Sequence, residues 1–440
     1  MARGKSGLIA GALAITVAAG VGIYVIRSRR QAEYDRRVAA ATERIDELVA
    51  GIRSRQEPVT LADLAPPPVE DHDNAAVVLK AVFRRLEALE DEMKDDPPWE
   101  HALRSIEGFE ARREVLGKAV RLGRGSLAAA RNALDRPRCV FIVRYPYSDG
   151  ELAHLVGLRS LSCLFAGSAM LAASDGESDA ALRDVRAMLR LASTLNEEPL
   201  VISRYNQFGL IIGALHTLQL VELIAPLRND HRQLIIGDIQ KLAVDRMTVE
   251  TVEATRAAYY TALCNALETG SPRSLEGPWD TLFPAYPNKL HLLDDGVRSL
   301  EAMTAAVAAS RGRPKQAEVR VGRIEVGLDT QVLEASPWTA PYLVNDTWHL
   351  LCYRTKVAAH RDVAIVGLAA AIYHERTGAF PKTLDALRPD PLARVPLDPY
   401  AEKPLLLRHH QDGLVIWSVG GFNKGPIEWR CVKEAGRFRD

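Results

Sequence analysis

The sequence predicts a mostly α-helical protein with a single N-terminal transmembrane helix, an irregular body of helical hairpins and a small C-terminal α+β module. Three observations lead to this fold class. Residues 8–26 form an uncharged apolar run, and the middle third repeats apolar residues at helical spacing. The tail combines turn-forming prolines with two runs of strand-forming residues. At 440 residues the chain is long enough for two or three domains.

The N-terminal run reads LIAGALAITVAAGVGIYVI, nineteen residues without a charge. A helix of about 20 apolar residues spans the hydrocarbon core of a bilayer. A cleaved signal peptide is the alternative, but its apolar core is usually about 7–15 residues long and ends in a small-x-small site. This run ends instead in IYVIRSRR. We therefore predict an uncleaved membrane anchor within residues 1–30.

The charges that flank the anchor bear on its orientation. Basic residues follow the run at Arg27, Arg29, Arg30, Arg36 and Arg37, and precede it at Arg3 and Lys5. The positive-inside rule applied to this difference favours a cytoplasmic body. The charge count is one of two indications about topology, and the second comes from a resemblance described below.

The helical body is predicted over residues 31–352. Residues 31–54 place apolar positions at helical spacing between charges, so they continue the anchor as an amphipathic stalk. The prolines at 66–68 interrupt the helix, and Asp73 or Asn74 can cap the next one. Apolar stretches at 150–174, 181–195 and 200–224 predict helices that pack as hairpins. Residues 270–289 resemble a long loop, and 311–348 look irregular, with extended residues at 319–328.

The C-terminal module is predicted over residues 353–440 and begins with a helix that runs to Thr377. Gly378 is placed to end this helix in a left-handed conformation, and Pro381 prevents its continuation. Thr383 can cap the short turn LDAL. Residues 404–408 and 414–419 are rich in strand-forming residues and flank HHQDG, which predicts a β-hairpin whose apolar face the helix covers.

Composition and motifs exclude several function classes. Lys+Arg and Asp+Glu both number 56, so no net positive field favours nucleic-acid binding. The five cysteines lack the CxxC spacing of a zinc site or a disulfide framework. Dinucleotide, P-loop and nucleophile-elbow motifs are missing from the sequence. We therefore predict no catalytic, cofactor-binding or metal-binding residue and no cofactor, and the sequence leaves a small-molecule ligand open.

Three local patterns resemble catalytic or metal sites, but each has a simpler explanation. His374-Glu375 lacks the second histidine of a metalloprotease helix, which favours a solvated helix end. His409-His410 with Asp412 could bind a metal, but a turn flanked by Asp-Gly is more typical of exposed loop residues. VEDHDN at 69–74 lacks the glycine and the distal glutamate of a calcium loop, and acidic residues suit a helix start.

The tail, from AIYHERTGAFPKTLDAL to LVIWSVGGFNKG, resembles the C-terminal module of type II secretion major pseudopilins of the G type. The matching residues are Tyr373, Gly378, Phe380, Pro381, Leu384, Leu387, Pro396, Asp398, Pro399, Tyr400, Ser418 and Gly420. With the preceding helix, the match covers 65–85 residues. The resemblance implies a helix packed on a hairpin and a place in the bacterial envelope.

The chain departs from those pseudopilins in two respects. No prepilin cleavage motif precedes the anchor, and the loop that binds calcium in the family has the sequence Gly-Phe-Asn-Lys-Gly at 421–425, without a carboxylate. We therefore predict neither a calcium site nor an ordinary pilus subunit. Residues 66–86 and 189–209 also resemble segments of uncharacterised membrane-anchored bacterial proteins that often carry such tails. This second resemblance implies a body on the outer side of the membrane.

The function that we predict is that of a single-pass membrane protein with protein partners in the envelope, acting in interaction or assembly and not as an enzyme. One alternative is an anchored hydrolase whose site is built from scattered residues in 270–350, because catalytic residues can converge from distant positions. Another is a helical-repeat adaptor that binds peptides in a groove.

Overall fold

The computed structural model describes residues 3–141, 152–269, 288–332, 340–411, 413–420 and 425–432. Side chains are described from residue 21 onward, except at 325–342 and 432. Within these residues the chain is mostly helical, with a small antiparallel sheet near its C-terminus, as the sequence predicts.

The helices are α1 (Arg3–Ser54), α2 (Ala75–Glu92), α3 (Ile106–Leu122), α4 (Arg124–Ala133), α5 (His154–Ser174), α6 (Ser178–Ser193), α7 (Val201–Ile224), α8 (Asn229–Gln240), α9 (Val244–Thr269), α10 (Lys289–Ser310), α11 (Pro314–Val332) and α12 (Ala340–Thr377). The strands are β1 (Leu406–His410), β2 (Gly413–Ser418) and β3 (Ile427–Val432).

Helix α1 joins the predicted anchor and the predicted stalk in one unbroken helix. Its C-terminal part packs on α10, and it buries Ile45, Val49 and Ile52 at intervals of three or four residues. Gly296 of α10 permits this contact, because a Cβ there would lie 3.3 Å from the Cδ1 of Ile45 and 2.7 Å from the Cδ2 of Leu263. The predicted anchor lies in the first half of α1, and its side chains up to residue 20 lie outside the described residues.

Helices α5, α6 and α7 pack against one another and form the hairpin arrangement that the apolar stretches predict. Among the helices whose side chains are described throughout, α5 and α7 contain windows long and apolar enough to cross a membrane, and 61% of each window is buried inside the protein. Burial by neighbouring helices accounts for their apolar character, since a helix that is apolar all round is one surrounded by other elements.

Helix α12 lies at the centre of the fold and contacts α7 to α11 as well as β2 and β3. It begins at Ala340, thirteen residues before the predicted start at 353. The sequence is misleading here because Pro341 looks like a helix breaker, whereas proline is tolerated in the first turn, where its missing N–H has no helical partner.

The prediction of extended residues at 319–328 is wrong, because these residues belong to α11. VRVGRIEV alternates apolar and polar residues and so imitates a strand. The structure instead uses the helical spacing of Ala317, Val321 and Ile324, which form one face of α11. Helix α11 packs with this face between α10 and α12, so tertiary packing overrides the local pattern.

The sheet has the order β1-β2-β3 and is antiparallel throughout. The predicted hairpin corresponds to β1 and β2, in which His410 pairs with Gly413, and β3 is an additional strand that the sequence analysis missed. As predicted, Gly378 ends α12 with a φ of 77°. Trp429 and Cys431 of β3 are buried against α12, so the helix covers one face of the sheet.

Asp398 connects the proline-rich turn at residues 396–399 to the end of β2. Its carboxylate is buried and accepts hydrogen bonds from the backbone N of Tyr400, the hydroxyl of Ser418 and the backbone N of Val419, each at 2.9 Å. The carboxylate thus replaces water for three donors at once, and it holds the turn against the sheet.

We expect Asp398→Asn to lower the free energy of unfolding by about 2 kcal/mol, because an amide NH₂ faces a donor where the carboxylate accepts. Chemical denaturation of the full chain measures this change. The matched control is Asp385→Asn at an exposed position, for which we expect a change within about 0.5 kcal/mol. Equal effects of the two substitutions would contradict the role assigned to Asp398.

Candidate functional site

The residues that imitate motifs have structural contacts. The ring of His374 stacks on Phe380 with 4.2 Å between centroids, and Glu375 accepts a hydrogen bond from Arg232 at 2.8 Å. His409 and His410 lie in β1 and are exposed, while Asp412 lies outside the described residues. Asn74, at the end of VEDHDN, caps α2 by accepting a hydrogen bond from the backbone N of Ala76.

The described part of the chain contains no group of three or more His, Cys, Asp or Glu side chains that could hold a metal ion. The loop at 421–424, on which the calcium prediction depends, lies outside the described residues. Burial raises the pKa of the thiols of Cys139, Cys163, Cys264 and Cys431. These four thiols therefore stay protonated near neutral pH, and they lack the thiolate that a nucleophile needs.

Residues 66–86 and 189–209 meet at Arg138. Its guanidinium forms a two-point ion pair with Glu197 and donates to the carbonyl oxygens of Pro67 and Pro68 at 3.0 and 3.2 Å. The backbone of Arg138 also forms a bridge with Asn74. Arg138 therefore joins the prolines at 66–68 to the loop before α7.

A buried polar network lies beneath this junction. Glu198 contacts the hydroxyl of Ser203 through Oε1 and the Nε2 of His154 through Oε2, the latter at 3.0 Å. All three side chains are buried, and His154 stacks on Phe141. The carboxylate lies between serine and histidine, whereas an activated serine needs the imidazole at its hydroxyl. The order of contacts therefore favours a structural network over a catalytic triad.

Arg204 is fully buried in the same region, next to the network of Glu198. Its Nε donates to Thr251 at 2.9 Å and its Nη1 donates to Gln207. Burial lowers the pKa of Arg204 to about 10, partly offset by the charges of Glu250 and Glu198. The guanidinium thus remains charged, and its hydrogen bond to the neutral hydroxyl of Thr251 links α7 to α9.

One cleft with both apolar and polar lining residues, about 460 Å³ in volume, lies beside β3, and we call it the β3 cleft. Its lining residues come from α7, α12, the turn at Tyr400 and the start of β3: Leu215, His216, Gln219, Lys356, His360, Val363, Tyr400, Gly425, Pro426, Ile427, Glu428 and Trp429. Lys356, His360 and Val363 are four and three residues apart, so they share one face of α12. Apolar walls with a few converging polar groups are typical of binding sites.

The basic groups of the β3 cleft influence one another. Burial and the charges of Lys356 and His216 lower the pKa of His360 to about 4, so this imidazole is neutral at physiological pH. Burial also lowers the pKa of His216, although the carbonyls of Arg104 and Leu103 partly oppose this. The ammonium of Lys356 lies 5.6 Å from the ring centroid of Tyr353. The helical wall therefore carries one fixed positive charge and two neutral imidazoles.

A second cleft, about 570 Å³ in volume, also lies along α12 and receives residues of the proline-rich turn. Arg313, Arg361 and Arg394 line it together with Asp362 and Asp398. Arg361 donates from Nε to Asp362 at 2.8 Å, and the carboxylate of Asp398 is occupied by the donors described above. Positive and negative groups are mixed in this lining, so it selects no charge.

A third cleft of about 490 Å³ lies between the turn after α1 and the loop before α7. Its lining includes Glu57, Glu197, Glu250 and Glu253 with four prolines. Glu57 forms ion pairs with Arg55, Arg256 and Arg311 at 3.0, 2.8 and 2.6 Å. We call Glu57 and its three arginine partners, Arg55, Arg256 and Arg311, the Glu57 clamp.

The alternative of a hydrolase site in 270–350 falls partly on residues 270–287 and 333–339, which lie outside the described residues. The described remainder forms α10, α11 and the start of α12. The sequence analysis missed the residues of the β3 cleft because they come from positions 215–219, 356–363, 400 and 425–429, which only the fold brings together. In comparisons with known proteins, no family model, no curated protein and no solved structure matches this chain.

Proposed function

We propose that this protein is held in the bacterial envelope by one transmembrane helix, presents its helical body on the outer side, and acts there in protein interaction or assembly. The observation that carries the proposal is the exposure of the apolar residues of α1. Val21, Ile23, Tyr24, Val25 and Ile26 are 41–72% exposed, although they belong to a helix whose other end is packed in the body.

Exposed apolar side chains on a continuous helix are unfavourable in water and favourable in lipid. The uncharged run of nineteen residues would measure about 28 Å as a helix, close to the hydrocarbon thickness of about 30 Å. Arginines at 27, 29 and 30 follow it at the depth where lipid headgroups begin. Length, exposure and flanking charge therefore all support an anchor.

The C-terminal half of α1 links the proposed anchor rigidly to the body. Arg37 pairs with Asp294 at 3.2 Å, and Arg44 pairs with Glu301 at 2.7 Å. The Glu57 clamp follows directly after the helix ends at Ser54. An anchor attached in this way fixes the orientation of the body relative to the membrane, which suits an assembly component.

The likeness to pseudopilins supports a place in the envelope. Several residues that carry the resemblance are in direct contact: Asp398 holds Ser418, and the hydroxyl of Ser418 accepts from the backbone N of Gly420 at 3.4 Å. A non-enzymatic role is favoured because the buried polar groups around Glu198 have structural partners and because burial keeps the thiols of Cys139, Cys163, Cys264 and Cys431 protonated.

A fractionation experiment tests the anchor. We expect the full chain to stay in the membrane pellet after an alkaline carbonate wash, and Leu13→Asp/Val17→Asp to enter the soluble fraction. Each aspartate at the centre of a transmembrane helix costs about 3 kcal/mol. The control variant, Ala32→Asp/Ala40→Asp, places the same charges on exposed positions of α1 and should remain in the pellet. Release of the full chain itself by carbonate would refute the anchor.

Topology is tested separately with a reporter fused after Asp440. An outward body predicts activity of alkaline phosphatase, which folds only where disulfides form, and no fluorescence from a reporter that matures only in the cytoplasm. The reverse result would remove the outward placement and, with it, the link to secretion.

A further inference from the structure

Residues at and just before the start of β3 form one wall of the β3 cleft. Within the described residues, β3 pairs only with β2, so the other edge of β3 has no strand beside it. Residues 425–429, which include the first half of β3, line the cleft opposite α7 and α12. The unpaired N–H and C=O groups of an edge strand are a template for an added strand.

Residues 425–429 offer a short edge for such a strand. Five residues in extended conformation cover about 17 Å, which is the length that residues 425–429 offer for pairing. Lys356, His360 and Val363 run along the opposite wall on α12. Because alternate side chains of an added strand point to opposite faces, one set would face this wall and the other would face outward.

The charge of the cleft indicates which side chains fit. Lys356 gives the helical wall a positive charge, the neutral rings of His216 and His360 lie beside it, and Glu428 is the acidic residue in the lining. Glu428 lies 3.7 Å from Arg430 on the same strand, which offsets its charge. A carboxylate that faces α12 would therefore meet an ammonium and two imidazole rings that can donate hydrogen bonds.

We propose that the β3 cleft binds an extended acidic peptide segment of an envelope partner protein. The segment adds to the free edge of β3 as a fourth strand and places a carboxylate beside Lys356. Backbone hydrogen bonds to β3 supply affinity, and the carboxylate supplies selectivity. This inference rests on the proposed role in protein interaction and gives that role a site and a class of partner.

The test uses the full chain in detergent micelles and a fluorescent peptide pool, acetyl-X-Glu-X-Glu-X-amide, in which X is Val, Ile, Thr or Tyr. We expect saturable binding, loss of binding when alternate backbone nitrogens are methylated, and a weaker signal when Lys replaces Glu. Methylation removes the donors that pair with β3 without changing the side chains. Failure of the pool to bind at about 1 mM total peptide would overturn the proposal.

Variants of the protein test the role of Lys356. Lys356→Met should weaken binding of the acidic pool about tenfold, and Lys356→Glu should reverse the preference between the Glu and Lys pools. Lys241→Met removes an exposed lysine elsewhere and should leave both affinities unchanged. Circular dichroism and the unfolding midpoint of each variant establish that it remains folded. An unchanged preference in folded Lys356→Glu would also overturn the proposal.

A last variant tests whether the protein's own tail, and not a partner, occupies the β3 cleft. If deletion of residues 433–440 raises the affinity for the acidic pool, the tail competes for the cleft and the inference of a partner segment is wrong. An unchanged affinity supports a partner. Micelle binding is independent of fractionation and topology: a membrane-bound chain that binds no peptide refutes only this inference, and a soluble chain that binds it refutes only the anchor.

Discussion

Glu57→Gln is expected to lower the free energy of unfolding by about 3 kcal/mol at neutral pH, because it removes the negative charge at the centre of the Glu57 clamp. Glu57 is buried and faces three arginines, of which Arg256 is also buried. Within the described residues, the Nε and Nη1 atoms of Arg256 have no hydrogen-bond partner. Glu57 is thus the main compensation for a buried guanidinium.

The pH dependence of this effect follows from the pKa of Glu57. Burial alone would raise this pKa, but hydrogen bonds from Arg55, Arg311 and Arg256 overcome burial and lower it from 4.5 to about 2. The folded pKa lies below the unfolded one, so the stabilisation is complete above pH 4.5 and is lost as the pH falls through about 2. The difference between wild type and Glu57→Gln should therefore shrink over this range.

Chemical denaturation of both proteins between neutral and acidic pH measures this difference. Glu47→Gln removes a carboxylate from an exposed ion pair with Arg44 on the same helix, and should change stability by less than about 1 kcal/mol. A difference between wild type and Glu57→Gln that is constant down to pH 2 would contradict the lowered pKa.

A double substitution tests the origin of the cost. Glu57→Leu/Arg256→Met removes both buried charges, and we expect it to be more stable than Glu57→Gln, because no guanidinium remains uncompensated in the interior. Arg55 and Arg311 are 40% and 46% exposed at their side chains, so they can turn to solvent when the carboxylate is removed.

The clamp illustrates what the sequence can and cannot predict. Apolar periodicity predicted the helical body, Gly378 predicted the end of α12, and the hairpin between β1 and β2 followed from the strand-forming runs. Two of the three arginine partners of Glu57, by contrast, lie 199 and 254 residues further along the chain, at Arg256 and Arg311. Such long-range charge pairs leave no local pattern, so sequence reasoning could not have found them.

The missed elements have related causes. Strand β3 contains Glu428 and Arg430 at its outward positions and follows a glycine-rich loop, so the segment lacks the apolar run that marks a buried strand. Its apolar residues, Trp429 and Cys431, are buried by contact with α12, which the sequence of the strand alone does not indicate. The β3 cleft depends on this strand, and for that reason the sequence analysis had no candidate site there.

Gly367→Ala is expected to disrupt the packing of β3 on α12. A Cβ at Gly367 would lie well inside van der Waals contact of the Trp429 ring, and the Sγ–H of Cys431 donates to the carbonyl of Gly367 at 3.3 Å. Trp429 is itself buried and has little space in which to move. We expect a loss of about 3 kcal/mol in the free energy of unfolding.

Helix propensity alone predicts the opposite sign, because alanine stabilises a helix relative to glycine by about 1 kcal/mol. A loss of stability in Gly367→Ala therefore points to the contact with Trp429. Gly209→Ala in α7 is the matched control, since a Cβ there meets nothing within 4 Å and should leave stability unchanged or raise it. Hydrogen exchange gives the location: in Gly367→Ala the amides of β2 and β3 should exchange faster, while those of α5 and α6 keep their protection.

A compensating substitution tests whether Gly367 is needed because it lets β3 approach α12 closely. Gly367→Ala/Trp429→Val removes the ring that the new methyl group meets, so the added Cβ should cost less than in the single variant, measured against Trp429→Val alone. Additive effects would mean that Gly367 acts through something other than Trp429. If the β3 cleft binds peptide as proposed, Gly367→Ala should also weaken binding of the acidic pool, because displaced β3 no longer lies opposite Lys356.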